Sequence, residues 1–119
     1  MELKQAITAL SALAQETRLE VFRLLIKEGP NGLSAGVIAR RLMVPPATLS
    51  FHLSQLEQAG LLRSHRQSRR IVYAADIEGA RRLLAFLMED CCQGNPEICG
   101  DLARNIAAAC GEAAQTPGS

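Results

Sequence analysis

A mostly α-helical fold with one small two-stranded β-hairpin is expected from three features of the 119-residue chain. The apolar content is Leu, Ala, Ile and Val, with only four aromatic residues and no Trp. Most of the first 90 residues repeat apolar side chains at helical spacing, broken by Gly and Pro. One stretch, residues 61–75, alternates instead and carries a turn. The length suits a single domain with a modest core, and a chain this short gains buried area by pairing with a copy of itself.

The elements follow in order. Leu3, Ala6, Ile7, Leu10 and Leu13 share one face of a first helix. Thr17 and Glu20 form a capping-box pair that opens a second helix through Leu25, and Gly29-Pro30-Asn31-Gly32 ends it. Ser34 caps a short third helix with Ile38 and Leu42 on one face, and Met43-Val44-Pro45 breaks it. Pro46 suits the first position of a fourth helix. Its Leu49, Leu53 and Leu56 point inward, and Gly60 stops it. Two strands, Leu61 to about His65 and Arg70–Ala74, flank a turn at Gln67-Ser68-Arg69. Asp76 starts a fifth helix with a Leu83, Leu84, Leu87 and Met88 stripe. Gly94 and Pro96 mark a loop to Gly100, and Asp101 caps a last helix carrying Leu102, Ile106, Ala109 and Cys110.

Charge is unevenly placed. The net charge is +1, yet residues 61–75 hold Arg63, Arg66, Arg69 and Arg70 and no acid, while residues 76–119 hold three basic and seven acidic residues. A short basic stripe suits a phosphate backbone. Helix, tight turn, helix and basic hairpin is the order of a winged helix-turn-helix, whose second helix enters the major groove. On the fourth helix the inward leucines leave Ala47, Thr48, Ser50, Phe51, His52 and Gln55 on or beside the outward faces. Small and hydroxyl residues allow close approach, and Phe51 can press on a thymine methyl. Arg66, Arg69 and Arg70 would grip phosphate, giving affinity without sequence information. The leader-free N-terminus and the lack of an apolar run of roughly 18 residues point to a cytoplasmic protein, not a membrane one. Thiols stay reduced there, so four Cys are read as ligands, sensors or core fillers. No nucleotide loop, Cys-x-x-Cys motif or catalytic His near the thiols suggests an enzyme, and none suggests an organic cofactor.

ETRLEVFRLL (16–25), PATLSFHLSQLEQAGLL (46–62) and RQSRRIVYAAD (66–76) resemble the ArsR family of metal-responsive repressors, over roughly residues 5 to 90. The resemblance implies a homodimer paired through first and last helices that leaves a palindromic operator when metal binds. It places Thr48, Ser50, Phe51 and His52 at the DNA-reading positions and Arg69 and Arg70 at the wing, where Ser68 stands in place of the usual Gly. Many arsenic-sensing members carry Cys-x-Cys at the third helix, where this chain reads LSAGVIA. Zinc-sensing members use Asp and His on the last dimer helix, and residues 78–90 hold no His. A subset instead carries a Cys pair and a third Cys just after the fifth helix, a pattern matched by Cys91, Cys92 and Cys99.

The donor chemistry agrees. Soft thiolates select thiophilic ions, and three sulfurs with a lone pair in the fourth direction suit trivalent arsenic or antimony. Zinc usually takes four ligands, often including His. Cys110 shares a face with Leu102 and Ile106 and reads as a core residue. The expectation is thus a winged helix-turn-helix DNA-binding and dimerisation domain over residues 1–90, and an inducer-binding cysteine loop with a C-terminal helix over residues 91–119. As a dimer it would repress from near-palindromic double-stranded DNA and dissociate on binding As(III) or Sb(III). Thiol redox sensing, or cadmium or lead sensing, by the same fold is the alternative.

Overall fold

The computed structural model describes residues 1–89. Among these, five helices and three strands follow in order: α1 (Leu3–Leu13), α2 (Glu16–Glu28), β1 (Leu33–Ser34), α3 (Ala35–Leu42), α4 (Pro46–Gln58), β2 (Leu62–Gln67), β3 (Arg70–Ala75) and α5 (Ile77–Met88). Met1–Phe86 form one compact unit, and the last residues of α5 belong to a second, Leu87–Ser119. No helix among the described residues is long and apolar enough to cross a membrane.

The core lies where α2, α3 and α4 meet. Val21 and Leu25 of α2, Ile38 of α3, and Leu49, Leu53 and Leu56 of α4 are fully buried, as is Leu61 just before β2. Each such side chain contributes about 1.5–3 kcal/mol by leaving water. The leucine row of α4 is therefore inward, as its spacing predicts.

α1 turns a different face inward from the expected one. Ala6, Ala9 and Ala12 are buried, while Leu3, Ile7 and Leu10 are exposed. Alanine lets α1 approach its neighbours closely, and the larger residues are left on the outer side. α5 divides likewise: Gly79 and Leu83 are buried, and Ile77, Leu84 and Leu87 are exposed.

The second helix also starts differently. Its N-cap is Gln15, whose side chain accepts a hydrogen bond from the Arg18 backbone N–H at 2.9 Å. Thr17 thus lies inside the first turn and is not a cap. Ser34 does cap α3, accepting from the Val37 N–H at 3.4 Å. Pro46 opens α4 as expected. Asp76 caps α5 through Oδ1, which accepts from the Gly79 N–H at 3.0 Å.

The sheet has three strands in the order β1-β3-β2, all antiparallel. The two-residue β1 is not expected from the sequence. It pairs Leu33 with Tyr73 and Ser34 with Val72, and so joins α3 to the hairpin. In the hairpin, Gln67 pairs with Arg70, leaving a two-residue turn, Ser68-Arg69. Ser68 takes φ 61°, the left-handed conformation that favours Gly. The turn is therefore tight despite the serine. At Gly79 a glycine is required by space: a Cβ there would strike the Gly60 carbonyl, whose carbon would stand 3.1 Å away.

Candidate nucleic-acid interface

The outward surface of α4 follows from its buried row. With about 100° per residue, the side opposite Leu49, Leu53 and Leu56 is occupied by Ala47, Ser50, Phe51 and Ser54, all exposed. Thr48 is exposed on one flank and Gln55 is half-buried beside it. Phe51 is 59% exposed, an unusual place for a phenyl ring on a solvated helix.

His52 is turned inward, contrary to its expected place on the outward side. It is 8% exposed and sits three residues after Leu49 and four before Leu56, on the buried row. Its Nδ1 lies 3.2 Å from Arg18 Nη1. Arginine only donates, so Nδ1 accepts and the ring proton is on Nε2. Burial, and then the Arg18 charge, hold the imidazole pKa below its ordinary value. The ring meets Phe51 edge-on at 5.8 Å between centroids and 63° between planes.

The hairpin supplies the charge. Arg63, His65, Arg66, Arg69 and Arg70 are all exposed along β2, the turn and the start of β3. Arg69 and Arg70 line an open groove with Ser50 of α4, Arg40 and Gly36 of α3, and Ser34. Three arginines and three hydroxyl residues, Ser34, Ser50 and Tyr73, thus line a groove beside the outward row of α4, with no acidic residue in the lining. That composition fits a polyanion backbone. Tyr73 also lines this groove, and burial, then the charge of Glu57, push its phenol pKa up, so it keeps its proton and can donate.

Arg40, Ser54 and Tyr73 join this surface, and for Arg40 and Tyr73 no signal in the sequence singles them out. Arg40 and Arg41 are neighbours with different duties. Arg41 is engaged by Glu28 at 2.9 Å, whereas Arg40 has no ion pair among the described residues and faces the groove. Ser54 follows Phe51 by three and Ser50 by four, the spacing of one helix face, and that spacing could have found it. Ala47, Thr48, Ser50, Phe51, Gln55, Arg66, Arg69 and Arg70 stand on α4 and the hairpin as their spacing predicts. Cys91, Cys92, Cys99 and Cys110 lie outside the described residues.

Comparison with known proteins bears directly on this surface. The helix-turn-helix domain family matches residues 13–65, which span α2 to the first part of β2. The HTH-type transcriptional regulator YgaV of Escherichia coli K12 is 30% identical over 89 residues, covering 75% of this chain and 88% of YgaV. The solution structure of the homodimeric winged helix-turn-helix DNA-binding domain of a possible ArsR-family regulator from Mycobacterium bovis superimposes with a TM-score of 0.61. It is 26% identical and covers 72% of this chain and 78% of that one. The chain belongs to the ArsR family of winged-helix transcriptional regulators.

The transcriptional activator HlyU of Vibrio cholerae is 29% identical over 91 residues, 76% of this chain and 82% of HlyU. These relatives are transcriptional regulators and not enzymes. In ArsR-family terms α3 and α4 are the helix-turn-helix and the β2–β3 hairpin is the wing.

Proposed function

We propose that this ArsR-family protein is a homodimeric repressor that grips near-palindromic operator DNA with α4 and the wing and lets go when trivalent arsenic or antimony is bound by Cys91, Cys92 and Cys99. The observation that carries the DNA-binding part is the row Ala47, Ser50, Phe51 and Ser54 lying beside an acid-free groove of three arginines. The row reads base edges and the groove holds phosphate. The exposed Leu3, Ile7 and Leu10 of α1, together with Ile77 and Leu84 of α5, support the dimer, as does the homodimeric M. bovis relative.

The sensing part rests on donor chemistry. Three thiolates within nine residues supply the soft, three-sulfur set that As(III) prefers. Binding there releases DNA only if the DNA-free form holds the ion more tightly, typically by about 1–3 kcal/mol of coupling. Repression follows from that direction of linkage: bound inducer empties the operator.

Arsenite titration into the protein bound to a fluorescent operator duplex tests the proposal. The expected result is release by the native protein and retention by Cys91→Ser, Cys92→Ser and Cys99→Ser. Full release by all three variants would move the site elsewhere. The same cluster can also close a disulfide, and release by mild peroxide with no arsenite effect would favour redox sensing.

A further inference from the structure

One guanidinium joins three helices. Arg18 stands on the first turn of α2, where its backbone N–H is held by the Gln15 side chain. Its Nε donates to the carbonyl of Ala12 near the end of α1 at 2.6 Å. Its Nη1 donates to Nδ1 of His52 on α4 at 3.2 Å. His52 in turn holds the ring of Phe51 edge-on, and Phe51 is the exposed aromatic of the DNA-facing row. A continuous path of directional contacts therefore runs from α1, which carries the exposed Leu3, Ile7 and Leu10, to the DNA-facing side of α4.

We propose that Arg18 is a positioning residue that fixes α4 against α1, and through them the separation of the two reading helices in the dimer. This rests on the reading of the protein as a DNA-binding dimer. Half-sites lie one helical turn apart on DNA, so small rotations of α4 are felt as weaker sequence recognition. Apolar packing between α2 and α4 resists separation but not sliding, since dispersion has little direction. A planar guanidinium with two donors aimed at two fixed acceptors resists both. Arg18 touches no base in this scheme. It acts through His52, whose buried ring is locked by the bond to Nδ1 and braces Phe51.

The test is a double-mutant cycle on full-length protein with two DNAs: a duplex selected by the native protein from a random library, and poly(dI-dC). Arg18→Met and His52→Leu each break the link. Each is expected to weaken the selected duplex about tenfold, the value of one charge-assisted bond. The affinity for poly(dI-dC), held by the phosphate backbone, should change less than about twofold. The double variant should bind no more weakly than the worse single one, because both remove the same path. His52→Asn, whose Oδ1 offers an acceptor near the Nδ1 position, should recover most of the affinity. If Arg18→Met fails to fold, Arg18→Lys takes its place. It keeps the charge but not the fork, and the same selective weakening is expected. Losses that multiply in the double variant, equal losses on both DNAs, or His52→Asn no better than His52→Leu would overturn the proposal. A native protein that selects no duplex removes the DNA-binding reading and this inference with it. A native protein that binds while the losses multiply removes this inference alone.

Discussion

His52 is neutral in the folded chain because burial and Arg18 both disfavour its charged form. Unfolded, it titrates near the ordinary value of 6.5. The folded pKa is the lower of the two, so the unfolded state takes up a proton first as pH falls. The histidine's contribution to stability is whole above the unfolded value and shrinks as pH drops below it, down through the folded one. Urea midpoints should therefore fall between about pH 7.5 and 5.5, and fall less in His52→Leu. An equal fall in both would show that His52 is not the group responsible. Ser68 is a second residue with a readable cost. At φ 61° a non-glycine side chain is strained, and Ser68→Gly should stabilise the protein by up to about 1 kcal/mol in chemical denaturation. No gain would mean that the turn carries no strain. Residues of this kind differ in how far sequence reveals them. Leu49, Leu53 and Leu56 are legible because leucines at that spacing have one destination. His52 occupies the same buried row, but a titratable residue invites an outward placement, and only the Arg18 partner makes its burial tolerable.

Among the elements, α4 and the wing are legible, whereas α1 is legible as a helix but not in its inward face. Pro46, the leucine row and Gly60 mark α4 from end to end. The alternating, acid-free stretch before Asp76 marks the wing. In α1 the apolar residues cover more than one face, and the spacing of Leu3, Ile7 and Leu10 suggests core although the protomer buries the alanines beside them. β1 has two residues, too few for any periodicity to show. The start of α2 is obscured by a competing capping signal: Gln15 caps it, and Gln is not among the usual N-cap residues. The wing's role is separable from that of α4. Arg69→Ala and Arg70→Ala should each lower the slope of log affinity against log salt by about 0.9 for every phosphate left without its cation. The preferred DNA sequence should stay the same. A changed preference with an unchanged slope would assign these arginines to bases.

At the scale of the whole molecule, the proposed dimer rests on the exposed apolar residues of α1 and α5. Leu3 is 63%, Ile7 54% and Leu84 49% exposed, large apolar side chains that a partner surface would cover. Ile7→Glu combined with Leu84→Glu should yield a folded monomer in sedimentation equilibrium, with operator affinity greatly reduced because one head reads only one half-site. A dimer that survives both changes would place the interface elsewhere. The apolar pattern of the sequence records this surface together with the core, which is why the inward face of α1 cannot be told from its outward one by spacing. The proposed cysteine site, by contrast, is read from residue type and spacing alone, and its residues lie outside the described ones.

Backbone amide chemical-shift mapping of the isotope-labelled protein on a selected duplex asks most directly whether α4 and the wing are what holds DNA. Shifts concentrated at residues 47–55, at 66–71 and around Arg40 are the predicted result. Shifts concentrated on the outer faces of α1 and α2, with α4 and the wing unmoved, would contradict it.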